Sequence, residues 1–578
     1  MEEDDIYTKD GTVDIQKNPA NKRKTGNWTA CNFILGNQCF ERLAYYGMST
    51  NLMNYLETSL NQGNVSAANN VTNWNGTCNV TALIGAFLAD AYLGKYWTIA
   101  SFSLVYVLGM TLLTMSASLT TLKPSCDHTG RCHPTPSQTL VCFVALYMVA
   151  LGSGAIKPCV SSFGADQFDK TDQIERKNQS SFFNWFYLSL NLGMLIGNSI
   201  VVWIQMNIGW AWGFGVPAVA LAAGVGFFLL GSRLYRLQES EGSSLTRIFQ
   251  VVVASLRKFN VRVPSHKSLL YETNEHEDSM SEFLLIQVRY KLEHTNELRF
   301  FDKAAVETPT DRTLEGLSNP WTLCTVTQVE ELKSIIRLLP VWACGVVFAT
   351  VFSQMSAMFI LQGNTMDPHV GGLSSFKIPS ASLSFFNALG VIIGTPTYDR
   401  LIVPYATKHT GREQGFTQLQ RIGIGLAISV FAMVSAGALE VFRLDIVEKY
   451  EYYDVEYVPV SILWQVPQYF LVGVAEVFTF IGEYEFFYDQ APNSMRSLCS
   501  ALFLTTYAGG NFLSTLLVSV VTKVTTKNGK LGWIPDNLNR GHLDYFFWLL
   551  TILSLLNLFF YLWIAMGYTY KNVIMQSA

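Results

Sequence analysis

Residues 31–56 read CNFILGNQCFERLAYYGMSTNLMNYL, an apolar stretch of membrane-spanning length with Glu41 and Arg42 side by side inside it. A charge at mid-membrane costs at least about 2.5–3.5 kcal/mol on insertion scales, so residues of this kind are seldom ornamental. If the helix enters the bilayer near Asn27, Glu41 lies roughly 20 Å up it at about 1.5 Å per residue, close to the midplane. Carriers keep their substrate and ion sites at that depth.

The rest of the chain agrees with a bilayer setting. Hydrophobic residues make up 49% and charged residues 15% of the 578 positions, against about 25% charged in soluble chains. A net charge of -4 and the lack of a basic face with interleaved aromatics exclude a nucleic-acid partner. The N-terminal 27 residues are polar and carry no signal-peptide core, so the first helix is expected to act as the targeting signal. Apolar runs predict twelve spans, at 29–57, 78–96, 98–120, 138–160, 181–205, 210–236, 334–361, 379–400, 419–440, 461–488, 498–522 and 543–568. The expected fold is therefore an all-α membrane protein, with twelve transmembrane helices in two six-helix bundles, the layout of a major-facilitator carrier. The expected domains are a tail at 1–28, a bundle at 29–236, a linker at 237–333 with a lateral helix around Thr246–Arg257, a second bundle at 334–568 and a tail at 569–578.

Basic residues set the orientation. Lys17, Lys22, Arg23 and Lys24 lie in the tail and Arg247, Arg257, Lys258 and Arg262 in the linker, whereas Leu43 to Gly94 holds none, so both termini and the linker are expected in the cytosol. The segment between spans 1 and 2 is then an outer loop, and it holds sequons at Asn64, Asn70, Asn75 and Asn79. The ten cysteines are scattered and suit small packing residues. Cys126 and Cys132, flanking a short outer-loop segment, are the exception and leave a local bridge open. A zinc site from Cys126, His128, Cys132 and His133 fits no common ligand spacing. All eight histidines fall in predicted loops, which excludes a histidine relay across the membrane.

Gly85-Ala-Phe-Leu-Ala-Asp90-Ala-Tyr-Leu-Gly94-Lys95 resembles the major-facilitator loop motif, which implies a gating role for Asp90; a plain solvated helix end is the alternative. Glu41-Arg42-Leu-Ala-Tyr45-Tyr46-Gly47 resembles the first-helix motif of the proton-coupled oligopeptide transporters, the nitrate/peptide transporter family of plants. Phe186-Tyr187-Leu-Ser-Leu190-Asn191-Leu-Gly193 is similar to the family's second signature, with leucine at 190 where isoleucine is usual. Further likeness runs through Ile156-Lys157-Pro158, Phe163-Gly-Ala-Asp-Gln-Phe168, Ala475-Glu476-Val477 and Gly532-Trp-Ile-Pro-Asp-Asn-Leu-Asn539, and is closest to the di- and tripeptide branch.

The chemistry of these residues matches what the resemblance implies. A dipeptide is a zwitterion, so its site needs opposite charges on facing walls. Arg42 and Lys157 suit the carboxylate and Glu476 the ammonium, and binding would draw the bundles together. Tyr45 and Tyr46 continue the face of Arg42 at i+3 and i+4. The resemblance gives Asn191 to the peptide unit, and Asn387 is expected to serve from the other side. Proton coupling is expected from Glu41, which when ionised pairs with Arg42 or Lys157 and on protonation releases that cation for substrate. The proton is the coupling ion, and neither cofactor nor metal is required. The family motif usually has a second glutamate where this chain has Gln38, an amide that cannot take up a proton. Glu483, two helical turns beyond Glu476 on nearly the same face, is a candidate cavity carboxylate, whereas Glu485 points elsewhere, toward a base on a neighbouring helix or loop.

The leading reading is a proton-coupled symporter of di- and tripeptides in a plant membrane, the plasma membrane ahead of the vacuolar one. The alternatives are a carrier of another metabolite, such as a hormone or glycoside, with altered coupling, or a sensor that binds without turnover. Nitrate is disfavoured, because nitrate carriers of the family use a span-7 histidine and 334–361 holds none. No motif presents a nucleophile, base and orienting group, so an enzyme is not expected.

Overall fold

The computed structural model describes residues 7–8, 11–127, 132–169, 172–238, 244–264, 266, 269–272, 294–308, 311, 319–370, 373–411, 415–490 and 496–568. The expected tail at 569–578, His128 and His276 lie outside the described residues. The first half folds as α1 (Asn27–Ser49), α2 (Leu52–Thr58), α3 (Asn64–Leu88), α4 (Gly94–Ser118), α5 (Pro136–Ala165), α6 (Gln173–Ile196), α7 (Val202–Asn207) and α8 (Trp210–Leu230). A helix α9 (Ser244–Arg257) falls in the linker. The second half comprises α10 (Val326–Ser353), α11 (Met358–Asn364), α12 (Ser384–Thr397), α13 (Val403–Thr410), α14 (Gln418–Tyr450), α15 (Val466–Gln490), α16 (Arg496–Thr525) and α17 (Leu543–Gly567).

Local sequence explains where several of these begin. Thr135, Thr325 and Thr417 each accept from the backbone of a glutamine three residues on, whose side chain returns the bond, so capping boxes open α5, α10 and α14. Eight stretches of the described chain are long and apolar enough to cross a bilayer. Those stretches omit α1, α12 and α15, the helices that carry Glu41 and Arg42, Asn387, and Glu476 and Glu483. Polar and charged residues lower the mean hydropathy of α1 and α15, and α12 is only 14 residues long.

Two expectations fail. The segment expected as an outer loop from residue 58 to 77 is largely helix, because α3 starts at Asn64. Its asparagines spend their amides on neighbours: Asn64 donates to the carbonyls of Pro535 and Asp536, and Asn69 to Ser519. Asn64 and Asn79 are buried, which is incompatible with glycan attachment there. His409 was expected in a loop and instead sits in the last turn of α13, against Tyr405. Cys126 and Cys132, the pair left open, are joined by a disulfide between the paired two-residue strands Ser125–Cys126 and Cys132–His133.

The bundles are held together on the face opposite α9. Asn364 of α11 donates to Asn54 of α2 at 2.8 Å and, at 3.4 Å, to Glu57, while Ser380 donates to Asn364 at 2.5 Å. Thr72 and Thr515 share a hydrogen bond of 2.6 Å between α3 and α16. On the α9 face, the linker is anchored rather than independent. Val251 and Ala254 pack with Ala304, Ala305, Val329 and Leu332 at the start of α10. Lys258 bonds Asp311 at 2.7 Å, and Lys333 bonds both Asp302 and Glu330.

Candidate functional site

Two sets of close helix approaches aim the polar residues at one another. Gly193 of α6 packs on the Cys39 carbonyl and the Arg42 Cβ, where any side chain would collide, so α6 lies directly against the charged turn of α1. In the second bundle, Gly473 of α15 packs on the backbone of Asn387, which draws α12 against the turn that bears Glu476.

On α1, Glu41 is 3% exposed. Its Oε2 lies 3.2 Å from Arg42 Nε and accepts from Gln38 Nε2 at 3.3 Å. Its Oε1 has no hydrogen-bond partner among the described residues. One carboxylate oxygen is thus engaged by both side chains while the other is left without a hydrogen bond from the described residues. The Arg42 side chain retains 16% exposure, so it is reachable while paired.

Lys157 of α5 was expected as an alternative partner of Glu41. Instead its Nζ lies 4.1 Å from the centre of the Tyr45 ring, and among the described residues no carboxylate pairs with it. A desolvated cation over an aromatic face gains about 2 kcal/mol, which holds the charge in place without neutralising it. Glu41 and Arg42 still reach Lys157 through their fields. Tyr45 is in turn stacked on Trp74 and donates to Asn75 at 3.4 Å, and Asn75 makes a long contact with Ser356 across the bundle interface. Sequence reasoning missed Trp74 and Asn75 as site residues, having placed Asn75 in a loop. The recurring asparagines at 69, 70, 73, 75 and 79 were the available sign of a polar helix.

From the second bundle, Glu476 accepts a hydrogen bond from Asn387 Nδ2 at 3.3 Å. Asn387 thus orients the carboxylate rather than standing apart from it. Tyr46 interacts electrostatically with both Arg42 and Glu476, and Tyr187 and Tyr507 also feel the Glu476 charge, so the basic and acidic walls face one another across phenols. Tyr187 and Tyr507 were not singled out from sequence. Asn191 donates to the carbonyl of Tyr187 at 2.7 Å, one turn back on α6. Asp90 lies in the π-helical turn Ala89–Leu93 between α3 and α4, and with Lys95 it acts on Cys159 of the same bundle. Glu485 pairs with Arg421 of α14 at 3.1 Å, and Arg421 stacks over Tyr398. Glu483, a candidate either to line the cavity or to sit solvated near the inner mouth, is 1% exposed and closed off. The physical reason is that Gly345 on α10 offers no side chain to hold the helices apart.

Comparison with known proteins agrees with this architecture. The sequence model described as PTR2, POT family, matches residues 96–534. The chain belongs to the POT family of membrane transporters. This POT-family chain is 65% identical over 574 residues to Protein NRT1/PTR FAMILY 8.1 of Arabidopsis thaliana, covering 99% of each chain. It is 64% identical over 573 residues to Protein NRT1/PTR FAMILY 8.2 of the same plant, again covering 99% of each. Its fold is similar to that of a crystal structure described as an auto-inhibited POT family peptide transporter. The TM-score is 0.68 at 22% identity, over 95% of this chain and 99% of that one. The protein is thus a multi-pass transporter of the major-facilitator fold, and the family is one of carriers rather than enzymes.

Proposed function

We propose that this transporter moves di- and tripeptides together with protons by alternating access. The observation that carries this reading is the opposition of Arg42 and Lys157 in one bundle to Glu476 in the other, with Tyr46 reaching both walls. A zwitterionic peptide bridging those walls ties the bundles together, which is what a rocking carrier requires of its substrate. A peptide transporter that shares this fold supports the substrate class.

The residues divide the work. Ionised Glu41 holds Arg42; a proton arriving on its free Oε1 cancels the pair and leaves the guanidinium to the peptide carboxylate. Lys157, held over the Tyr45 ring, adds to that anion site. Glu476, oriented by Asn387, receives the ammonium. Asn191 serves the peptide unit and Asp90 the gate. The proton is the coupling ion, and no cofactor or metal enters. In this reading the α9 face and both termini are cytosolic, the protein resides in the plasma membrane, and the structure is the state closed to the outside.

The test is uptake of a labelled dipeptide in oocytes at mildly acidic and neutral outside pH, with competition by unlabelled di- and tripeptides, free amino acids and nitrate. Acid-stimulated uptake blocked by peptides alone supports the reading. Uptake blocked equally by nitrate or amino acids, or indifferent to pH, refutes it.

A further inference from the structure

Glu483 lies where three helices of the second bundle meet, outside the substrate walls. Its Oε1 accepts from Thr506 of α16 at 3.0 Å, and its Oε2 has no partner among the described residues. A Cβ on Gly345 of α10 would fall 2.5 and 2.6 Å from the two oxygens, so the carboxyl group occupies the space that this glycine vacates. The titratable groups that act on it or flank it are few. Cys344 comes from α10 and Tyr507 from α16. Arg421 of α14 runs alongside, but its guanidinium is committed to Glu485 and the Val477 carbonyl. Among the described residues no basic side chain pairs with Glu483.

A fully buried, unpaired carboxylate carries a desolvation penalty that one neutral hydrogen bond does not offset. The acid is therefore stable at this position only with a proton on it. We infer that Glu483 is a second proton-binding site of the carrier, loaded while α10 and α16 close over it and emptied to water when they part. This rests on the proton-coupled reading above. Glu476 lies seven residues earlier, about 10 Å along α15, so the two acids form a line from the substrate wall toward the α9 face. Gln38 cannot bind a proton on the opposite wall, and Glu483 supplies a carboxyl that the α1 cluster lacks.

The test compares the full-length parent with Glu483→Gln and Glu483→Asp, reconstituted in lipid. Difference infrared spectra are recorded through a pH titration, and the charge moved per labelled dipeptide is measured in oocytes. The expected result is a protonated-carboxyl band at neutral pH that is lost in Glu483→Gln and kept, shifted, in Glu483→Asp, with a drop in charge per peptide in the glutamine variant. Glutamine matches the size of glutamate and keeps the Thr506 bond, so a packing role predicts no change; identical spectra and charge ratio overturn the inference. If the parent carries no peptide current, the peptide reading fails and the infrared band alone decides Glu483. Should Glu483→Gln not reach the membrane, Thr506→Val removes a donor that favours the ionised form. The band must then persist to higher pH, and an unchanged titration overturns the inference.

Discussion

Replacing Gln38 by glutamate perturbs the coupling cluster by one atom type. Gln38 Nε2 stands 3.3 Å from Glu41 Oε2. In Gln38→Glu two carboxylates meet at that separation, and with an effective dielectric constant of about 20 Coulomb's law gives roughly 5 kcal/mol of repulsion. Arg42 opposes part of it, but its guanidinium is already engaged by Glu41 at 3.2 Å. The remainder is relieved by one proton shared between the two acids. Acid-stimulated dipeptide uptake should therefore extend to higher outside pH, by about one unit or more. The assay is a labelled-dipeptide uptake curve across outside pH at matched surface expression. A curve superimposable on that of the parent would show that position 38 lies outside the coupling machinery.

Glu476→Gln should weaken peptides with a free amino terminus at least tenfold in apparent affinity, about 1.4 kcal/mol, and spare N-acylated analogues; equal losses for both in competition assays would sink the assignment. Lys157→Ala should abolish uptake while the protein still reaches the membrane. Tyr45→Phe keeps the ring under Lys157 and should retain most uptake, whereas Tyr45→Leu should lose it, and similar activity of the two would discount the cation–ring contact. In the linker, burial pushes the Asp311 carboxyl up, but hydrogen bonds from Lys258 and Thr308 and the Lys258 charge outweigh it, so its value lies below the ordinary 3.8. An acid depressed in this way contributes stability above its unfolded value and loses it only as pH falls through the folded value. The protection of α9 amides, taken relative to the unfolded exchange rate at each pH, should thus stay constant from neutral to mildly acidic pH, and fall in Lys258→Met.

The fold was legible because a bilayer writes itself into composition: apolar runs marked the spans, and charges inside them marked the candidate site. Glu41, Arg42 and Glu476 stood out for that reason. What escaped were features decided between helices. The first half of α3 reads as a polar loop because its asparagines are satisfied by α16, by the Pro535–Asp536 turn and by Tyr45, partners hundreds of residues away or on another helix. Lys157 found a ring instead of Glu41, since rotation of α5 against α1 leaves no periodic trace. Spacing placed Glu483 on the face of Glu476, but Gly345 on a different helix determined that it would be enclosed.

Glu41→Gln tests the central claim most directly, because glutamine imitates the protonated acid permanently. In reconstituted vesicles the account predicts that peptide exchange down no gradient survives, since Arg42 stays free for substrate, while uptake driven by an imposed proton gradient is lost. Gradient-driven accumulation at the level of the parent would contradict the assignment of Glu41 as the coupling carboxylate.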